Sequence, residues 1–256
     1  YGVKNGNTYK IDGSLDDNYN YVDYQEGIYV GYRYYETRGL NDEEWYSKNV
    51  VYPFGHGLSY TKFTHSIAEG KTDTLEPDSQ GNIKLTLTVN VRNDGNVAGK
   101  DAVQVYVTAP YETEGKIEKP HVVLAGFAKT GEIAPGDDEN VTVQLDMYDV
   151  ASFDYRDENN DGKKCYQLDS GDYVIRVMSD AHNEQDSFTA NLAEIHSYES
   201  DPVTKYQVGV RFDDIDDQLP KTLSRKDWKM PERRTVSERE FNSSDDFVTS
   251  LKSLDS

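Results

Sequence analysis

From Phe63 to about His196, apolar and polar residues alternate with a period of two. The clearest run is Ile83, Leu85, Leu87, Val89 and Val91, interleaved with Lys84, Thr86, Thr88 and Asn90. A spacing of two places the apolar set on one face of a strand. The same alternation returns at Val103-Val105-Val107, Val141-Val143-Leu145, Tyr173-Ile175-Val177 and Phe188-Ala190-Leu192, and less regularly from Val122 to Phe127. Turn-forming stretches such as NDGN, APGDD and DENNDG separate these runs. About six short strands with turns between them predict an antiparallel β-sandwich of immunoglobulin or fibronectin type, with the two inner faces forming the core. Cys165 is the sole cysteine, so the Cys–Trp–Cys set of a true immunoglobulin domain is missing.

The flanking segments follow other patterns. Residues 1 to about 66 are rich in Tyr and Gly and carry too few apolar runs for a core of their own. Within them Gly27 to Glu36, GIYVGYRYYE, has strand-favouring residues interrupted by glycines. Thr37 to Asn49 reads as a polar loop bearing Trp45 and Tyr46. Val50 to Thr61, VVYPFGHGLSYT, reads as an ordered turn anchored by Phe54. Beyond Ser197 the alternation decays into a polar tail with Pro202, Pro220 and Pro231, and a helix start is expected at Ser243 or Ser244. The expected divisions are therefore 1–66, 67–196 and 197–256.

Charge narrows the partners. The chain has 47 acidic against 27 basic residues, a net charge of -20, and such a field repels phosphate backbones and anionic lipid. Nucleic acid and membrane are not expected partners, and no stretch has the length of a membrane span. Residues 71–196 hold 24 acids and 11 bases, so most of the excess belongs to the sandwich. One cysteine allows neither an intrachain disulfide nor a thiolate zinc site. No signal peptide is visible in YGVKNGNTYK, and a cytoplasmic location is the expectation. The 20 tyrosines, against 8 Phe and 2 Trp, suit sugar stacking as well as wet β surfaces.

Candidate chemistry is sparse. Asp157-x-Asn159-x-Asp161-Gly162 opens like an EF-hand loop, but its twelfth position is Leu168 rather than a bidentate Glu. A hairpin turn built on Asx side chains is the reading. His56, His65, His121, His182 and His196 share no metal-ligand spacing, and neither metal nor cofactor is expected. His56 sits in a glycine-flanked turn able to aim it at a cleft, although a structural hydrogen bond is the better reading of it. Glycoside hydrolysis needs two carboxyl groups about 5 to 10 Å apart. The adjacent acid pairs, such as Asp16-Asp17 and Glu43-Glu44, are too many to single one out.

YQEGIYVGYRYYET (Tyr24 to Thr37) followed by VVYPFGHGLSYTKF (Val50 to Phe63) resembles the closing part of glycoside hydrolase family 3. A second block agrees: Gly95-Asn96-Val97-Ala98-Gly99, then Val103 to Val107, then KPHVVLAGFAKTGEIAPGDDENV (Lys119 to Val141) is similar to the fibronectin type III-like domain of those enzymes. The resemblance covers about residues 20 to 195. It implies a mainly β chain: a C-terminal part of an α/β sandwich over 1–66, a fibronectin type III-like β-sandwich over 67–196, and an irregular tail over 197–256. The tail, with FDD at Phe212 to Asp214 and LSRKDW at Leu223 to Trp228, either packs back on the enzyme or leads into a barrel.

The resemblance further implies a retaining enzyme acting on terminal β-linked sugars, with its nucleophile in a barrel and its acid/base upstream in the α/β sandwich. Neither has a matching segment here, so no catalytic residue is assigned. The partners implied are the remainder of the parent enzyme, its barrel and α/β sandwich domains, and an oligosaccharide or aryl glycoside substrate of the whole. Trp45, Tyr46 and His56 are the candidates for an outer subsite. A free-standing carbohydrate- or protein-binding β-sandwich module is the alternative.

Overall fold

A computed structural model describes residues 8–9, 15–16, 24–111, 117–210 and 221–232. The helix expected at Ser243 or Ser244 lies outside them. The chain forms two compact units, Ile28–Gly209 and the pair Tyr1–Gly27 with Val210–Ser256. In the latter, β1 (Thr8–Tyr9) pairs antiparallel with β2 (Leu15–Asp16). There the backbone N–H of Leu223 donates to the Gln25 carbonyl at 2.7 Å, and Leu223 is buried.

The unit Ile28–Gly209 opens with two short helices, α1 (Tyr32–Gly39) and α2 (Glu43–Asn49). Strands β3 (Phe63–Glu69), β4 (Lys84–Asn93), β5 (Ala102–Thr108), β6 (Val123–Lys129) and β7 (Asp138–Asp146) follow. After a 3-10 turn at Met147–Val150 come β8 (Ser152–Phe153), β9 (Tyr166–Leu168), β10 (Gly171–Met178), β11 (Glu184–Leu192) and β12 (His196–Tyr198). Two main sheets result, β3-β4-β7 and β11-β10-β5-β6, with a small β12-β9-β8 sheet beside them. All strand pairs are antiparallel. The molecule is a mainly β, fibronectin-like sandwich, as the alternation predicts.

The period-two pattern works as read. In β4 and β7, Leu87 lies opposite Val143 and Val89 opposite Val141. From this sheet Leu87, Val89, Val91, Val143 and Leu145 meet Val103, Val105, Val107, Ile175 and Val177 of the other in one buried cluster. Burying each such side chain stabilises the fold by about 1.5–3 kcal/mol before conformational entropy is counted. A bulge between Val105 and Tyr106 shifts the β5–β6 register. Gly126 sits beside it, where a Cβ would come within 2.7 Å of Leu145 Cδ2 and 3.0 Å of the Gln144 carbonyl. Only a residue without a side chain lets β6 approach β7 there.

Strand β5 departs from the half-solvated expectation. Its outward residues Gln104 and Tyr106 are buried as well as its inward valines. Tyr106, Val122, Met178 and Ala181 form a second buried cluster, on which Tyr32 of α1 packs. The segment before β3 therefore roofs this sheet.

Two local readings change. Gly27 to Glu36 is not extended: it turns at Gly31, with φ of 59°, and enters α1 at Tyr32. Tertiary packing overrides the strand propensity of its Tyr and Val residues. The polar stretch after it is helical rather than a loop. Asp42 caps α2 by accepting the Trp45 N–H at 3.0 Å, Glu43 and Glu44 occupy its first turn, and Lys48 its last.

Candidate functional site: the junction of helices and sandwich

The junction is built from two helices and one turn. Along α1, Tyr32, Glu36 and Gly39 fall at helical spacing, which puts them on one face. Tyr32 stacks on Phe54 at 4.6 Å and meets the Tyr106 ring edge-on at 6.1 Å. Its hydroxyl accepts the Leu124 N–H at 3.0 Å. The Thr37 hydroxyl accepts the His121 N–H at 2.7 Å. Gly39 lets α2 close on α1, because a Cβ there would lie 2.7 Å from Tyr46 Cδ2. The turn VVYPFGHGLSYT is ordered as expected: His56 N–H donates to Pro53 O at 3.1 Å, and Phe54 O accepts the Ala181 N–H at 2.8 Å.

At the centre stands Glu36, 5% exposed. The Tyr46 hydroxyl donates to its Oε1, and His182 Nδ1 lies 2.9 Å from its Oε2. His182 Nε2 reaches Glu43 Oε2 at 3.4 Å. The imidazole also stacks on the Tyr46 ring, with centroids 3.9 Å apart and planes 10° from parallel. His182 is held by its own turn, where buried Asp180 accepts the N–H groups of His182 and Asn183 at 3.0 and 2.9 Å. Burial pushes the Glu36 carboxyl above the usual range, against the lowering pull of Tyr46 and His182. Burial, then the Glu36 contact, raises the Tyr46 phenol far above its ordinary value. Next to this network a cleft of about 190 Å³ is lined by Glu36, Glu43, His121, Arg176, His182 and Glu184. Arg176 is paired with Glu184.

The three residues expected at an outer subsite are not gathered into one site. Tyr46 is 4% exposed and committed to Glu36 and His182. Trp45 belongs to a separate aromatic group: Arg38 lies 5.0 Å from its ring, Tyr35 stacks at 6.2 Å and Tyr34 meets its edge at 6.0 Å. His56 is exposed in its turn, stacked on Tyr52 at 5.0 Å, with Nδ1 3.8 Å from Asp180 Oδ2. Glu36, Asp180 and His182, the residues that organise the junction, gave no signal in the sequence. The Glu36–His182 contact spans 146 positions.

The Asp157 stretch is a turn. Asp157 Oδ1 accepts the N–H groups of Asp161 and Gly162 at 2.9 and 3.1 Å, and Asp161 Oδ1 accepts that of Lys163 at 2.8 Å. Among the described residues no group of three or more His, Cys, Asp or Glu is placed to hold a metal ion. Nor is any described helix long and apolar enough to cross a membrane.

Comparison with known proteins places this architecture. Residues 101–181 match the fibronectin type III-like domain. β-Glucosidase A of Butyrivibrio fibrisolvens is 41% identical over 160 residues, 60% of this chain and 18% of that protein. The chain is similar to a portion of this β-glucosidase and of thermostable β-glucosidase B of Acetivibrio thermocellus, which is 36% identical over 157 residues, 61% of this chain and 18% of that protein. Among solved structures, this chain aligns with β-glucosidase 3B from Thermotoga neapolitana at 34% identity and a TM-score of 0.53, covering 68% of this chain and 21% of that one. A β-glucosidase from Paenibacillus barengoltzii aligns at 35% identity and a TM-score of 0.57, covering 68% and 18%. The chain thus spans about a fifth of the length of these relatives.

Proposed function

We propose that this chain is a non-catalytic, structural portion of a β-glucosidase-like enzyme that releases terminal β-linked sugars. Residues 67–196 serve as the fibronectin-like platform, and residues up to 66 belong to an adjoining α/β sandwich that continues in the parent enzyme. The observation that carries the reading is a row of large apolar side chains left in solvent on an ordered segment. Val51, Tyr52, Leu58 and Tyr60 are 85%, 70%, 94% and 99% exposed, while Phe54 and Gly55 between them are tied to Ala181 and Gln104 through backbone carbonyls. An ordered apolar face of this kind marks an interaction site, and the rest of the enzyme is its occupant. Trp45 and His56 keep their place as candidates for the outer edge of the substrate cleft, whereas Tyr46 is buried at the junction with Glu36 and His182.

The carboxylates lining the junction cleft support the same conclusion. Glu36 and Glu43 converge on one imidazole rather than facing each other across a sugar-sized gap. The purified chain is expected to leave an aryl β-glucoside unhydrolysed and to show no saturable binding of cello- or xylo-oligosaccharides. Turnover abolished by a single carboxylate substitution in this chain overturns the reading, and saturable glycan binding replaces it with a binding module.

A further inference from the structure

We infer that residues 221–232 are a docking segment for residues 24–27, so that one body is assembled from both flanks of the sequence and the sandwich unit Ile28–Gly209 is an insertion in it. This holds independently of the enzymatic reading above.

Two stretches that stand out in the sequence meet here. Gln25 and Gly27 lie in the YQEGIYVGYRYYET motif, and Leu223 to Trp228 is the LSRKDW motif of the tail. The Gln25 carbonyl accepts the Leu223 N–H at 2.7 Å. Its side-chain amide donates to the Pro231 and Glu232 carbonyls at 3.4 and 3.2 Å, across 206 and 207 positions. Both ends of the span 223–232 therefore close on one residue, and a primary amide with two N–H groups suits two carbonyls. Between those ends the tail is folded on itself. The Trp228 N–H donates to Ser224 O at 3.0 Å with Trp228 at a φ of 55°, Ser224 Oγ accepts the Lys226 N–H at 3.1 Å, and Asp227 Oδ1 accepts that of Lys229 at 3.0 Å. A loop that holds its own shape gives up little conformational freedom on docking.

The fit is also steric and apolar. Leu223 is 5% exposed, whereas Lys221 and Thr222 before it face solvent. Gly27 has a φ of 56°, and a Cβ there would lie 2.9 Å from Thr222 Cβ, so a residue without a side chain is what lets the tail approach. Charge points the same way. In a chain of net charge -20, residues 221–232 hold four basic and two acidic side chains, while residues 1–27 hold five acidic and two basic. Opposite signs favour the encounter of the two flanks. A plain linker needs neither a buried leucine, nor a side-chain clasp, nor a glycine opposite it. The chain leaves this body at Gly27 and returns to it at Val210.

Cutting the chain ahead of the docking segment tests the inference. A specific protease site is inserted between Asp214 and Ile215, the full chain is cleaved there, and the product is followed by size exclusion at micromolar concentration. The C-terminal piece is expected to stay with the remainder. Its dissociation constant, read by dilution, should rise about tenfold or more in Leu223→Ala. It should also rise in Gly27→Ala, whose methyl group meets Thr222, and in Gln25→Ala. The melting transition of the sandwich unit is measured in parallel and should be unchanged in all three variants, which separates undocking from unfolding. Release of the piece from the natural sequence on cutting overturns the inference. So does retention that none of the three substitutions weakens, since the hold would then lie elsewhere.

Discussion

Asp186 Oδ2 accepts the backbone N–H of Ile67 at 2.7 Å. The contact joins β11 of one sheet to β3 of the other, at an edge where no strand ladder connects them. Oδ1 of the same carboxylate takes the Ser187 N–H at 2.8 Å, and Lys71 Nζ approaches at 3.1 Å. Burial alone raises the Asp186 carboxyl, but the hydrogen bonds from Ile67, Lys71 and Ser187 outweigh it and hold it below the ordinary aspartate value. A depressed folded value makes this stability present above the unfolded value, about pH 4, and lost as pH falls further. Asp186→Ala is expected to cost about 1.5–3 kcal/mol at pH 7 and less at pH 3. Urea melts at the two pH values check it, and an equal loss at both contradicts it.

Gly126 tests how tightly the sheets close. Gly126→Ala places a methyl group against Leu145 and the Gln144 carbonyl, and overpacking of this kind costs about 1–3 kcal/mol. Pairing it with Leu145→Ala, which empties the space it would enter, should recover part of that loss. Strict additivity of the two changes in a denaturation cycle argues against the contact.

The apolar row should be dispensable to the chain's own fold. Val51→Ser, Leu58→Ser and Tyr60→Ser together are expected to change the melting midpoint little, each within about 0.5 kcal/mol. Binding of an apolar fluorescent dye should fall. A marked drop in melting temperature means these side chains pack within the chain after all.

The Asx turn makes a prediction about metal. The carboxylate oxygens of Asp157 and Asp161 are engaged by backbone N–H groups, so a chelator should leave the melting temperature unchanged. Asp157→Ala should cost about 1 kcal/mol through the lost turn bonds. Calcium-dependent stabilisation in a thermal melt decides against this.

The strands were legible because burial on one face imposes a period of two, and Leu87, Val89 and Val91 carry that period without interruption. Gly126 beside the Val105–Tyr106 bulge carries no such mark, since a bulge depends on the partner strand. Helix α1 was misread because Tyr and Val favour strands when packing is ignored, and its position is decided by Phe54, Tyr106 and Leu124, far along the chain. The Asp42 cap and the Glu43-Glu44 pair of α2 were present in the sequence, yet they lacked the apolar stripe that usually accompanies them. The junction chemistry was invisible for a simpler reason. Glu36 and His182 are ordinary residues in their local context, and only the fold makes them neighbours.

Strand β5 is buried on both sides, and this limits how the molecule can be cut down. Gln104 and Tyr106 are covered by Gly55, Tyr32 and their neighbours. A shortened chain starting at Phe63 keeps every sandwich strand but strips that cover, and it exposes Tyr106, Val122 and Met178 to water. The first strand is therefore not the place to begin a minimal soluble version. The shortest piece that keeps Tyr106, Val122 and Met178 covered begins upstream, at or before Ile28.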